Sequence, residues 1–119
     1  MLIKRIHKRR DYLDISKNAR KIKTKSFIIQ YRKVNNNIQH LMENTINIGI
    51  VVSKVVGNAV KRNYVKRKLK IISKLATEEI TSNYDLVIVG KKNIIEENFK
   101  NLNDEIRNVF KKINCNRDE

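Results

Sequence analysis

The sequence predicts a small α+β sandwich built on one sheet, and three stretches carry that prediction. "TINIGIVVS" alternates Ile46, Ile48, Ile50 and Val52 against Asn47, Gly49, Val51 and Ser53, the period of a half-covered strand. "NYDLVIVGKK" is a short continuous apolar run, which suits a well-covered strand. "IIEENFKNLNDEIRNVFKKI" repeats Ile95, Phe99, Leu102, Ile106, Val109, Phe110 and Ile113 at three- and four-residue steps, the pattern of an amphipathic helix. At 119 residues the chain is one domain, 1–119.

The remaining elements follow in order. Residues 1–9 are basic and are expected to form a flexible tail. "RRDYLDISKNAR" offers Tyr12, Ile15 and Leu13 as apolar points, enough for a short helix over about Arg10 to Ala19. "KSFIIQYRK" alternates Phe27, Ile29 and Tyr31 with Ile28, Gln30 and Arg32 and reads as a strand. "VNNNIQHLMEN" is Asn-rich, a turn or mobile loop, so this strand and the next are expected to pair as an antiparallel hairpin. A helix is predicted from about Asn58 to Leu75, then the apolar strand, then the last helix, whose Lys111 and Lys112 fall late, as its dipole favours. Residues 114–119 are read as a polar tail. The order is helix, strands, helix, strand, helix.

Hydrophobic residues make up 40% of the chain and charged residues 33%, a balance that suits a folded domain rather than a disordered polyelectrolyte. The formal net charge of +15 is concentrated: between Met1 and Lys74 there are 20 Lys and Arg and three acids, whereas the remainder is slightly acidic. Such a surface repels itself and gains when a polyanion releases counterions onto it, so nucleic acid is the leading partner class. One cysteine, Cys115, excludes a disulfide framework and fits a reducing cytoplasm. The N-terminus lacks the apolar core of a secretory signal, and no apolar run reaches the roughly 18 residues of a membrane span.

The charge is densest in "KVVGNAVKRNYVKRKLK", where seventeen positions from Lys54 to Lys70 hold seven Lys or Arg and no acid. On a helical wheel Arg62, Asn63, Lys66, Arg67, Lys70 and Lys74 fill one arc of roughly 140°. Val60, Tyr64, Val65, Leu69, Ile71, Ile72, Leu75 and Ala76 fill an arc of roughly 180° opposite, expected to face the sheet, with Tyr64 in the core. Lys61 and Lys68 interrupt that apolar arc, so they must snorkel at its edge or the arc must split. A solvated face would interleave Glu with Lys; here Arg62, Lys66 and Lys70 stack like on like at i,i+4, which helix stability alone disfavours. The arc therefore reads as a phosphate-binding face. Gly57 and Asn58 open it with a close-approach residue and an N-cap.

The run "NIGIVVSKVVGNAVKRNYVKRKLK", followed by "YDLVIVGKK", resembles the protein subunit of bacterial ribonuclease P, over about Arg10 to Ile113. Ser53, Lys54, Gly57, Asn58, Ala59, Val60, Arg62, Asn63, Lys66 and Arg67 carry the resemblance. It implies the order αβββαβα, a four-stranded sheet and a left-handed βαβ crossover through the basic helix, as in the second domain of ribosomal protein S5. It adds a short strand near Lys21 to Lys23. It implies a cofactor to a catalytic RNA that removes the 5′ leader from precursor tRNA, with Mg²⁺ held by the RNA, none in the protein, and no obligatory protein partner. Lys54, Asn58, Arg62, Asn63, Lys66 and Arg67 would contact the RNA, with Lys70 continuing their arc. Tyr12, Ile28 and Gln30 match a cleft for the single-stranded leader. Ser16 replaces the cleft's usual second helix aromatic, Tyr64 the motif's second Arg and Val55 a common Lys; Gln30 stands where an aromatic can occur.

The residues themselves show no paired acid and base for protein-only RNA cleavage: His7 and His40 lie in a basic tail and a polar loop, and Asp11 and Asp14 read as local charge balance beside Arg9 and Arg10. A ribosomal-protein-like RNA binder without a processing role is the alternative. A binder of membrane surfaces or acidic proteins fits the charge but leaves Asn58 and Asn63 without a purpose.

Overall fold

The computed structural model describes residues 2–6, 9–34 and 45–115. Five strands and three helices follow one another: β1 (Leu2–Arg5), α1 (Arg9–Asn18), β2 (Arg20–Lys23), β3 (Phe27–Lys33), β4 (Thr45–Val51), α2 (Ala59–Ala76), β5 (Tyr84–Gly90) and α3 (Phe99–Cys115). The sheet runs β1-β4-β5-β3-β2. Strands β2 to β5 are the expected four, including the short strand at Arg20–Lys23. The fifth is a correction: residues 2–5 of the expected tail pair parallel with Thr45 to Ile48. The Asn-rich segment, His7 and His40 lie outside the described residues.

The expected hairpin does not form. β5 lies between β3 and β4, antiparallel to the first and parallel to the second. All of its residues except Val89 are buried, and an apolar run of this kind gains most at the sheet centre. Asn83, just before β5, ties both neighbours: its carbonyl accepts from Val34 N–H at 3.0 Å and its Oδ1 from Thr45 N–H at 2.5 Å.

Helix α2 is the crossover between the parallel strands β4 and β5. Ile48 packs in one cluster with Val65 and Leu69 of α2, while its carbonyl accepts from Ile6 N–H on the β1 side. For an L-residue that geometry puts β5 to the left of β4 when α2 lies in front and the strands run upward. The crossover is therefore left-handed, against the usual rule.

The main core lies between the sheet and the α2–α3 layer, with Phe27, Ile29, Ile46, Leu86 and Ile88 facing Val65, Leu69, Ile72, Ile106 and Phe110. Each such side chain contributes about 1.5–3 kcal/mol by burial. A smaller cluster of Ile6, Ile15 and Val87 holds α1 to part of the reverse face.

The apolar arc of α2 splits, one of the two outcomes that Lys61 and Lys68 allowed. Val65, Leu69, Ile72 and Ala76 are buried, whereas Val60, Tyr64, Ile71 and Leu75 are exposed. Lys68 marks the seam: its Nζ donates to the Glu97 carbonyl at 2.8 Å and lies 4.9 Å from the centre of the Tyr64 ring. The expectation of a core Tyr64 is thus corrected, because a helix lying on a sheet buries a stripe narrower than half its circumference. Phe99 is also exposed, since the last helix begins there and Ile94 and Ile95 belong to a preceding 3-10 turn.

Candidate nucleic-acid interface

Two surfaces gather the candidate residues. The first is α2 with the turn before it. Val56 N–H and Gly57 N–H donate to the carbonyls of Ser53 and Lys54, so the chain reverses directly after β4. Gly57 sits at φ +152°, a conformation that side chains rarely adopt, and a Cβ there would meet Lys61 Cδ at 2.8 Å. Asn58 then caps the helix, its Oδ1 accepting from Lys61 N–H at 3.0 Å. That hydrogen bond gives Asn58 a structural duty beside any contact it makes outward.

Beyond the cap, Asn63, Arg67 and Lys70 are exposed, Arg62 and Lys66 half-buried, and Lys54 stands exposed in the turn. No acid occupies the first turn of α2. The ion pairs among the described residues join Arg32 to Asp14 and Asp85, and Arg107 to Glu78 and Glu79; none includes an α2 cation. Arg62 Nε is shielded from solvent and has no hydrogen-bond partner among the described residues. The sequence's cationic arc is thus one surface without an ion-paired carboxylate among the described residues, able to take phosphate.

The second surface is the sheet face that carries α1. Register lays it out in three rows from β2 to β4: Lys23, Ile28, Val89, Val51; then Lys21, Gln30, Val87, Gly49; then Arg32, Asp85, Asn47. Helix α1 covers the middle, Ile15 and Val87 meeting beneath it. Tyr12 lies over Gly49, where an added Cβ would stand 2.5 Å from the ring, and its hydroxyl donates to the Ile6 carbonyl at 3.0 Å. Ser16 is exposed on α1; Ile28 and Gln30 are half-buried on β3 with Lys21 and Lys23 beside them. The four cleft candidates therefore share one side of the molecule, but Tyr12 packs toward β4 while Ile28 and Gln30 lie toward β2.

The third row was not singled out from sequence. Arg32 Nε donates to Asp85 Oδ2 at 2.9 Å, its Nη1 to Asp14 Oδ2 at 2.9 Å, and Asn47 Nδ2 to Asp85 Oδ1 at 2.8 Å. Burial opposes the Arg32 charge, yet its hydrogen bonds to Asp85 and Asp14 outweigh this and raise its pKa above the ordinary value. No spacing rule links positions on three strands and a helix, so only the strand order could reveal this anchor. Among the described residues no group of three or more His, Cys, Asp or Glu side chains could hold a metal ion.

Fold and surfaces together define a basic α+β protein whose crossover helix is its cationic face. The family model for ribonuclease P matches residues 3–114. The ribonuclease P protein component of Desulforapulum autotrophicum is 35% identical over 109 residues, covering 92% of this chain and 87% of the relative. That of Macrococcus caseolyticus is 32% identical over 107 residues, covering 90% and 87%. Among solved structures, the RNase P protein from Thermotoga maritima superposes with a TM-score of 0.77 at 26% identity, over 92% of this chain and 96% of that one. The Staphylococcus aureus RNase P protein gives 0.74 at 25% identity, over 92% and 94%.

The chain belongs to the ribonuclease P protein-component family. The proteins of this family are components of ribonuclease P, a tRNA-processing endonuclease with an RNA partner in the holoenzyme. No helix among the described residues is long and apolar enough to cross a membrane.

Proposed function

We propose that this chain is the RNA-binding subunit of a cytoplasmic ribonuclease P ribonucleoprotein that removes the 5′ leader from precursor tRNA. The single observation that carries the reading is the α2 face, cationic along its length and unpaired with any carboxylate among the described residues. Lys54, Arg62, Asn63, Lys66, Arg67 and Lys70 bind the catalytic RNA, and Asn58 sets the helix start that aims them. Tyr12, Ser16, Ile28 and Gln30 border the leader cleft, where Lys21 and Lys23 add charge for the strand's phosphates. The cleavage chemistry, with its Mg²⁺, falls to the RNA; the protein raises affinity for substrate and metal ions by holding the leader and screening phosphate repulsion.

The test mixes the purified chain with a bacterial ribonuclease P RNA and a leader-bearing precursor tRNA at low Mg²⁺. Leader release that needs both protein and RNA supports the proposal. Release by the protein alone would overturn the division of labour, and tight RNA binding without stimulation would favour a structural, ribosomal-protein-like module.

A further inference from the structure

Between β1, β4 and α2 lies a groove of about 360 Å³ whose floor belongs to neither surface above, although Tyr12, Lys66 and Lys70 also line it. Its apolar floor is made by Ile3, Ile48 and Ile50, which share the α2 side of the sheet because Ile3 pairs with Ile46. Ile3 is 38% exposed, so the floor is open to solvent at its β1 end, while Ile48 is buried. Arg5 stands on β1, and Lys66, Lys70 and Lys74 line the helix wall. No carboxylate among the described residues lines the groove. The lysines recur at i,i+4, a rise of about 6 Å per step, which is comparable with the separation of successive phosphates in an extended single strand.

We propose that this groove is a nucleotide site that takes one unpaired base of single-stranded RNA onto the isoleucine floor while the adjoining phosphates lie along Lys66, Lys70 and Lys74. The inference rests on the RNA-binding reading and deepens it, because it gives the RNA a base-sized seat beside the α2 face. Charge complementarity selects the occupant: three lysines in a row on α2, with Arg5 on β1 and no acid among the described lining residues, suit a chain of phosphates, and the apolar floor suits a base that has left its stack. The site exists only because residues 2–5 add a strand to the sheet, which supplies both Ile3 and Arg5.

The experiment follows the isoleucine methyl resonances of the full chain during titration with a 5′-phosphorylated uridine trinucleotide. The Ile3, Ile48 and Ile50 signals should move together, and those of Ile71 and Ile95 should not. Ile3→Glu, at a solvent-exposed position, should weaken trinucleotide binding about tenfold, whereas Ile71→Glu should leave it unchanged. Trinucleotide binding that moves only Ile28, or that ignores Ile3→Glu in a folded variant, overturns the groove and leaves the RNA-binding reading standing. Failure to bind either the trinucleotide or a ribonuclease P RNA overturns both. Anionic phosphatidylglycerol vesicles moving the three signals where the trinucleotide does not would assign the groove to lipid and overturn the nucleotide site.

Discussion

Arg32 on β3 and Asp85 on β5 stand opposite each other in the sheet register and are joined by a 2.9 Å charged hydrogen bond, with Asn47 of β4 completing the Asp85 carboxylate from the other side. Arg32 also reaches Asp14 of α1, so one guanidinium fastens the helix to the sheet. Asp85→Ala leaves Arg32 half-buried without its main partner and should cost about 2–4 kcal/mol. Asp14→Ala, at an exposed carboxylate, should cost under about 1 kcal/mol. Urea unfolding of the two variants measures the difference; equal losses would mean that Asp85 is not the anchor.

Gly49 offers a steric test of the α1 side. Its added Cβ would sit 2.5 Å from Tyr12 Cε1 and 2.8 Å from the hydroxyl oxygen. Gly49→Ala should therefore destabilise by about 1–3 kcal/mol as the ring is displaced. Pairing it with Tyr12→Ala should make the two losses less than additive. Strict additivity in thermal unfolding would show that the ring already yields.

Helix α2 separates packing from surface within a few residues. Leu69→Ala opens a cavity in the main core and should cost about 2–5 kcal/mol. Ile71→Ala, at a position 55% exposed, should stay within about 0.5 kcal/mol. A large loss at Ile71 in denaturant titration would mean that the exposed stripe is covered in solution.

RNA affinity should divide the same helix differently. Arg62→Ala combined with Arg67→Ala should lower the slope of log affinity against log salt by about 0.7–0.9 for each phosphate that is no longer neutralised. Tyr64→Ala removes no charge, so it should leave that slope unchanged; if a base stacks on the exposed ring, affinity drops by about 1–3 kcal/mol. Filter binding to the RNA at several salt concentrations reads both, and an unchanged slope in the double variant would discard the α2 face.

Glu105 on α3 carries a pH signature. Burial, and then the charge of Glu97, push its carboxyl above the ordinary 4.5, with Lys25 opposing. A raised folded-state pKa favours the protonated group, so its contribution is fully present below the unfolded value and is lost as pH rises through the raised one. Glu105→Gln should therefore be more stable than the parent at neutral pH, the gain vanishing below about pH 4. A gain that persists in acid would point to a cause other than ionisation.

The class of the fold, the helix that carries the charge and the family were all legible in the chain's order of residues. Each of these is local: alternation from Ile46 to Val52, a run from Tyr84 to Val89, and cations at i,i+4 from Arg62 to Lys70 are written in neighbouring residues. The rest was settled by packing in three dimensions. Only strand order shows that β5 separates β3 from β4, because two alternating strands running in opposite directions suit a hairpin equally well until a more apolar strand takes the place between them. Only the packing of α2 against both the sheet and α3 decides which half of its apolar arc is buried, leaving Tyr64 and Ile71 in solvent while Leu69 and Ile72 pack. The same holds for residues 2–5, whose four positions have too little periodicity to announce a strand and become one when the free edge of β4 offers its backbone groups. Arg32, Asp85 and Asn47 meet for that reason too: contacts between residues 53 and 38 positions apart are fixed by register, which the whole core sets and no single segment encodes.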